Sequence, residues 1–219
     1  RDSLSPETAV FARMVKIPMP SFARTSIRPP ERLAVAGLGV VGLMAAQLGR
    51  LYGYETYACD PDPERQRVAR EYGIGNVMAE LPDPGATRFA PVGLGLECSG
   101  HEAAAMALCR AARVYGEVFL IGVPWVPRTA MLAQAILHRV FYGYVRLQSG
   151  WEGEMPGAPA PHSEAHHFGA ALSWLAEGRM RAGAELYSAV SPAAPQSHYQ
   201  DLLHNRTPAP TVLFDWRML

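Results

Sequence analysis

Three glycines and one aspartate carry most of the chemistry that residues 31–60 can do. The segment Gly37-Leu38-Gly39-Val40-Val41-Gly42 follows the apolar run Leu33 to Ala36, and an acid stands at Asp60, eighteen residues beyond Gly42. The run has the unbroken apolar character of a buried parallel strand. Gly37 permits a tight turn after it, Gly39 lets backbone approach a diphosphate that a side chain would hold off, and Gly42 lets the next helix lie close to the sheet. A helix starting near Val40 aims free N–H groups and the positive end of its dipole at the phosphates, so the anion needs no lysine. Asp60 ends a second strand expected over Tyr54–Cys59. A carboxylate there accepts both hydroxyls of an adenosine ribose and repels a 2′-phosphate, which favours NAD over NADP. The competing readings are an ordinary strand-to-helix turn for the glycines and, for Asp60, a helix N-cap ahead of Pro61-Asp62-Pro63-Glu64-Arg65.

The composition leaves room for such a site and removes other functions. A chain of 219 residues with 49% hydrophobic content can bury a large core, as one domain or one domain with a small appendage. Lys+Arg and Asp+Glu balance at 20 each, without runs of like charge, so neither nucleic acid nor an anionic membrane is an expected partner and the ligand is a small molecule in a pocket. Cys59, Cys98 and Cys109 form no CxxC pair, which suits reduced thiols in a cytoplasmic protein without a structural zinc lobe. The longest apolar run, Val35 to Gly49, belongs to the glycine motif, and no signal-peptide core is visible, so a soluble, untargeted chain is expected. A start at Arg1 without Met leaves trimming or an upstream segment open.

The elements that must position these residues alternate. A proline-rich lead-in, 1–30, is expected to carry a helix over 6–16 capped by Ser5. A dinucleotide-binding domain follows over 31–150, with strands expected at 33–37, 54–59, near 76–78, 93–98 and 117–122, and helices at 40–52, 63–73 and 101–114. Alternation of this kind means a doubly wound parallel sheet with right-handed crossovers. A helix at 128–138 and an aromatic strand at 140–147 complete it. The remainder, 151–219, reads as a Gly/Pro-rich loop to 162, helices at 164–178 and 199–205, and a final strand at 211–216.

The order of AGLGVVGLMAAQL (36–48), YACDPDPERQRVAREYG (57–73), LECSG (96–100), GEVFLIGVP (116–124) and ALSWLAEGRM through TVLFDW resembles the medium-chain dehydrogenase/reductase family, the relatives of alcohol and sorbitol dehydrogenases. The resemblance implies an α/β Rossmann fold whose N-terminal GroES-like catalytic barrel is absent here. It also implies that Gly37, Gly39, Val40, Val41 and Gly42 cradle a pyrophosphate and that Asp60, Pro61 and Arg65 frame the adenosine. Cys98, Ser99 and Gly100 would line the nicotinamide, and Gly122, Val123 and Pro124 would hold its carboxamide; the alternative for Cys98-Ser99-Gly100 is a plain strand-ending turn. The family position of a further zinc ligand falls in Phe11-Ala12-Arg13-Met14, where Arg13 cannot bind a cation, so no metal site is expected.

A hydride can pass between nicotinamide and a carbinol without metal if a side chain handles the hydroxyl proton, and histidine or tyrosine is the usual choice. His101, Tyr142 and His162 are the candidates, with Tyr144, Trp151, Glu152, His166 and His167 on segments expected to reach the same edge. The competing readings are a helix cap for His101 and, for the three histidines, either a metal pair one helical turn apart at His162 and His166 or polar residues facing solvent; Pro161 and Ser163 place a helix start between His162 and His166, which favours the latter. The strand at 140–147 has the composition of a sheet edge, and the family resemblance implies that it pairs with its copy across a two-fold axis; a homodimer is expected, since an exposed apolar edge would invite aggregation. Two functions remain: an NAD-dependent, zinc-independent oxidoreductase acting on an alcohol or carbonyl, including NAD used as a recycled redox centre, and a catalytically inactive NAD-binding sensor or partner module.

Overall fold

A computed structural model describes residues 4–83, 91–153, 163–204 and 206–219. Its centre is a six-stranded parallel sheet of β1 (Arg32–Ala36), β2 (Glu55–Cys59), β3 (Asn76–Met78), β4 (Val92–Glu97), β5 (Ala112–Leu120) and β6 (Arg146–Ser149), in the order β3-β2-β1-β4-β5-β6. This is the doubly wound order in which the sequence of strands reverses beside β1. The register sets Ala36 opposite both Cys59 and Glu97, so β1, β2 and β4 release the chain at one level, where an open sheet binds ligands. β1 and β4 are buried through almost their whole length, as a sheet covered on both faces requires.

Helices α4 (Val40–Leu51), α5 (Pro63–Glu71) and α6 (Glu102–Ala111) make the crossovers. The lead-in forms three short helices, α1 (Pro6–Ala9), α2 (Ala12–Lys16) and α3 (Met19–Arg24), where one helix over 6–16 was expected. Their apolar residues Phe11, Val15, Met19 and Phe22 join the core with Leu43, Met44 and Leu48 of α4 and with Leu175 of α8 (Glu164–Ala176). Burial of each such side chain contributes roughly 1.5–3 kcal/mol. The end of the lead-in is fastened to β5 by the buried Glu117, whose carboxylate accepts from the hydroxyls of Thr25 and Ser26, both at 2.6 Å, and from Arg146 at 3.2 Å.

The segment after β5 differs from expectation. The helix placed at 128–138 is α7 (Ala133–Gly143), and the strand placed at 140–147 begins only at Arg146, as β6. Val140, Phe141 and Tyr142 have strand composition, but Leu137, Val140 and Phe141 recur at i, i+3 and i+4, and the helical period prevails. Tyr144, in the left-handed region at φ 50°, closes the helix. A two-stranded parallel sheet of β7 (Tyr187–Val190) and β8 (Thr211–Phe214) follows, of which only β8 was expected, together with α9 (Pro195–Leu203). Among the described residues no helix is long and apolar enough to cross a membrane.

Candidate functional site

The glycine turn lies at the carboxyl end of β1, and its glycines are required for different reasons. Gly37 is left-handed at φ +91° and donates its N–H to the Cys59 carbonyl at 2.8 Å. A Cβ on Gly42 would lie 1.7 Å from the Gly37 carbonyl oxygen, so α4 is seated against the turn by a contact only glycine permits. Gly39, the N-cap of α4, has an ordinary φ of −60°, and a Cβ on it would meet nothing within 4 Å. The protein's own packing therefore does not require glycine there; an incoming ligand would. Val40 and Val41 open the helix, where N–H groups have no carbonyl one turn back and a phosphate can receive them.

Asp60 is buried beside this turn. Its Oδ2 accepts the Leu38 N–H at 2.7 Å, its Oδ1 accepts the Asp62 N–H at 2.9 Å, and Arg65 Nη1 lies 3.5 Å from Oδ2. A carboxylate has about four lone-pair sites, so capacity to accept sugar hydroxyls remains. The N-cap of α5 is Asp62, whose carboxylate accepts from Glu64 and Arg65, and this corrects the capping alternative for Asp60. Pro61 is exposed between the two acids.

The turn after β4 is shaped by a buried carboxylate. Glu97 accepts the N–H of Ser99 at 2.7 Å and of Gly100 at 3.0 Å, together with the Ser99 hydroxyl. The loop after β5 packs directly on it, since a Cβ on Gly122 would lie 2.2 Å from the Gly100 nitrogen. Val123 and Pro124 form the exposed rim. Burial pushes the Cys98 thiol well above its ordinary value and that of Cys59 up to about 12, so neither is a thiolate nucleophile near neutral pH.

The structure separates the proposed proton carriers. His101 caps α6, its Nδ1 accepting the Ala103 N–H at 3.2 Å, as the bland alternative held. Tyr142 lies in the last turn of α7 and Tyr144 caps that helix just before β6, at the amino edge of the sheet, and this corrects their placement at the carboxyl edge. The ring of Tyr142 is 4.6 Å from that of His138. His162 lies outside the described residues. His166 is exposed, whereas His167 is buried, which corrects the solvent-facing reading for that residue.

Trp151, Glu152 and His167 do converge, with Arg13, Lys16 and Glu164, around a cavity of about 310 Å³ just past the carboxyl end of β6. Arg13 forks onto Glu152; Lys16 pairs with Glu164, lies 3.5 Å from Glu152 and sits over the Phe168 ring. Sequence reasoning missed Lys16. The available signal was a cation in the apolar stretch Phe11–Ile17. Among the described residues no group of three or more His, Cys, Asp or Glu is arranged to hold a metal. The described residues thus offer no donor set for a zinc ion, and no step below uses one.

The family model described as zinc-binding dehydrogenase matches residues 40–157. Sorbitol dehydrogenase of Bacillus subtilis (strain 168) is 28% identical over 131 residues, covering 56% of this chain and 37% of that protein. Among solved structures, acetophenone reductase from Geotrichum candidum NBRC 4597 in complex with NAD superposes with a TM-score of 0.71 at 15% identity, covering 94% of this chain and 55% of that one. A protein of Sinorhizobium meliloti 1021 described as a zinc-binding dehydrogenase and bound to NADP gives 0.65 at 21% identity, covering 85% and 53%. These likenesses establish a shared fold, and this chain spans little more than half of either structure.

Proposed function

Because the chain belongs to the zinc-binding dehydrogenases of the medium-chain dehydrogenase/reductase family, we propose that its crevice binds NAD and that the protein is an oxidoreductase for the alcohol or carbonyl group of a small molecule, working without zinc. The observation that carries this reading is the open space at Gly39, bordered by a helix start and by a buried acid. Gly37, Gly39 and Gly42, with the N–H groups of Val40 and Val41, would seat the diphosphate. Asp60 would take the ribose diol, with Pro61 and Arg65 beside the adenosine. Cys98, Ser99 and Gly100 would flank the nicotinamide, and Gly122, Val123 and Pro124 its carboxamide. When bound, the dinucleotide supplies or accepts the hydride.

A preference for NAD over NADP is supported by the buried Asp60 carboxylate, tied to the Leu38 N–H, which would accept the ribose hydroxyls and repel a 2′-phosphate. Arg65 works in the opposite direction, as a cation within reach of such a phosphate. The preference is tested by titration calorimetry of Asp60→Ser combined with Pro61→Arg. NAD should bind at least about tenfold more weakly, the effect of losing about 1.4 kcal/mol, and NADP should gain. Unchanged NAD affinity would mean that Asp60 does not touch the ribose.

Two further parts of the reading concern assembly. β6 is the edge strand, and Leu137, Phe141, Tyr142 and Tyr144 beside it are all more than 60% exposed. Such a patch next to an open edge supports a homodimer in which two copies cover each other. Three free cysteines support a reducing, cytoplasmic location. The capping role of His101 and the remote position of Tyr142 favour a second reading, an NAD-binding sensor or partner module without turnover. Binding of NADH without oxidation by any carbonyl compound would select it.

A further inference from the structure

We propose that Lys16 is the acid that protonates the carbonyl oxygen during reduction, in the charged cavity beside β6. This rests on the dinucleotide reading above and deepens it. Lys16 is the only lysine of the chain; every other residue among the 20 Lys+Arg is arginine. Ion pairs elsewhere among the described residues are made by arginine, His101 aside. A guanidinium stays charged and cannot hand over a proton, whereas an ammonium can. The one lysine is also one of the few buried charges, 6% exposed, in a position lysine seldom takes without a partner.

Its place in the fold suits the task. The chain leaves β4 through Ser99-Gly100, β5 through Ile121-Gly122 and β6 through Gly150-Trp151. Gly122 packs on Gly100, and a Cβ on Gly150 would lie 2.6 Å from Ile121 Cγ1, so the three turns form one continuous row. Trp151 and Glu152 extend that row to α2, where Arg13 and Lys16 close the cavity opposite Glu164 and His167 of α8. The charges of Arg13 and Lys16 cancel those of Glu152 and Glu164. A neutral aldehyde or ketone is therefore accommodated in preference to a carboxylic acid or phosphate ester.

In the step, the carbonyl carbon gains the hydride from reduced dinucleotide, and its oxygen gains a proton from Lys16 Nζ. The products are the alcohol, oxidised dinucleotide and a neutral amine. The amine regains a proton from water at the cavity mouth, where Glu164 is exposed. Glu152 and Glu164 orient the ammonium, while Arg13, His167 and the Phe168 ring complete its surroundings.

The single lysine makes the test direct. Tag-free protein labelled with ¹⁵N-lysine gives one side-chain resonance, which should shift as NADH is titrated in. Lys16→Met and Lys16→Arg should bind NADH within about twofold of wild type by fluorescence. Both should lose roughly 10²–10⁴-fold in NADH oxidation with cyclohexanone, butanone and benzaldehyde, the size of a general-acid contribution. Lys16→Arg keeps the charge and the ion pairs, so it separates proton transfer from a structural role and serves if Lys16→Met does not fold. An unmoved resonance at saturating NADH, near-normal turnover in Lys16→Arg, or a wild type that binds NADH and reduces none of the three compounds would overturn the proposal. A wild type that does not bind NADH removes the dinucleotide reading and this inference with it.

Discussion

Gly39 and Gly42 stand three residues apart in one motif, yet alanine should act at each for a different physical reason. At Gly42 the added methyl would sit 1.7 Å from the Gly37 carbonyl oxygen. Restoring a contact of about 3.5 Å requires the turn and α4 to separate by roughly 1.8 Å. Overpacking of that kind costs about 1–3 kcal/mol, offset by about 1 kcal/mol of better helix propensity. Gly42→Ala should therefore lower the melting temperature by a few degrees, at about 2–4 °C per kcal/mol for a chain of this size, and should abolish NADH binding at micromolar protein. At Gly39 the methyl meets no heavy atom within 4 Å, and φ −60° is open to alanine. Its stability cost is limited to the poorer N-cap, about 0.5–1 kcal/mol. The same methyl projects into the space reserved for the diphosphate, so NADH affinity should fall about 10–100-fold, or about 1.4–2.8 kcal/mol. Differential scanning calorimetry and fluorescence titration on the two variants separate the effects. Gly39→Ala binding NADH as tightly as wild type would refute the assignment of that space.

The other predictions concern stability and assembly. Burial pushes the Glu117 carboxyl up, but bonds from Ser26, Thr25 and Arg146 outweigh it and hold the group below its ordinary value. A depressed folded-state value means the stabilisation is complete above the unfolded value of about 4.3 and is lost as pH falls through the folded one. Glu117→Gln should cost about 2–3 kcal/mol at neutral pH and should lose less further stability than wild type between about pH 5 and pH 3; parallel melting-temperature profiles would contradict the linkage. Phe141→Glu places a charge in the exposed apolar patch beside β6 and should convert a dimer to a monomer by light scattering without loss of helical signal. A wild type that is already monomeric at micromolar concentration would remove the dimer.

Local chemistry was the most legible part of this chain. The β1-turn-α4-β2 unit could be read because three glycines at fixed spacing stand between an apolar run and a helix, and because the acid at Asp60 follows a second strand of five residues. Ser5 as the first cap was legible for the same reason. The stretch Val140–Tyr144 was misread because β-branched and aromatic composition outweighed a helical period only two turns long. Of the charged cavity, Trp151, Glu152 and His167 were legible as candidates, but Arg13 and Lys16 were not, because the ion pairs join residues 139 and 148 positions apart. No spacing rule couples Arg13 to Glu152 or Lys16 to Glu164; the turn after β6 brings Glu152 to α2, and packing of α2 against α8 brings Glu164 there. His101 could be read either way, since a histidine after a Ser-Gly turn is equally suited to capping and to catalysis until its ring partner is known.

The central claim is that the hollow bordered by Gly37, Gly39, Gly42 and Asp60 seats a dinucleotide. Isothermal titration of the untagged protein with NADH tests it most directly. Saturable binding at one site per chain, weakened when Asp60 loses its carboxylate, is the predicted result. No heat beyond dilution at protein concentrations of tens of micromolar would contradict the account.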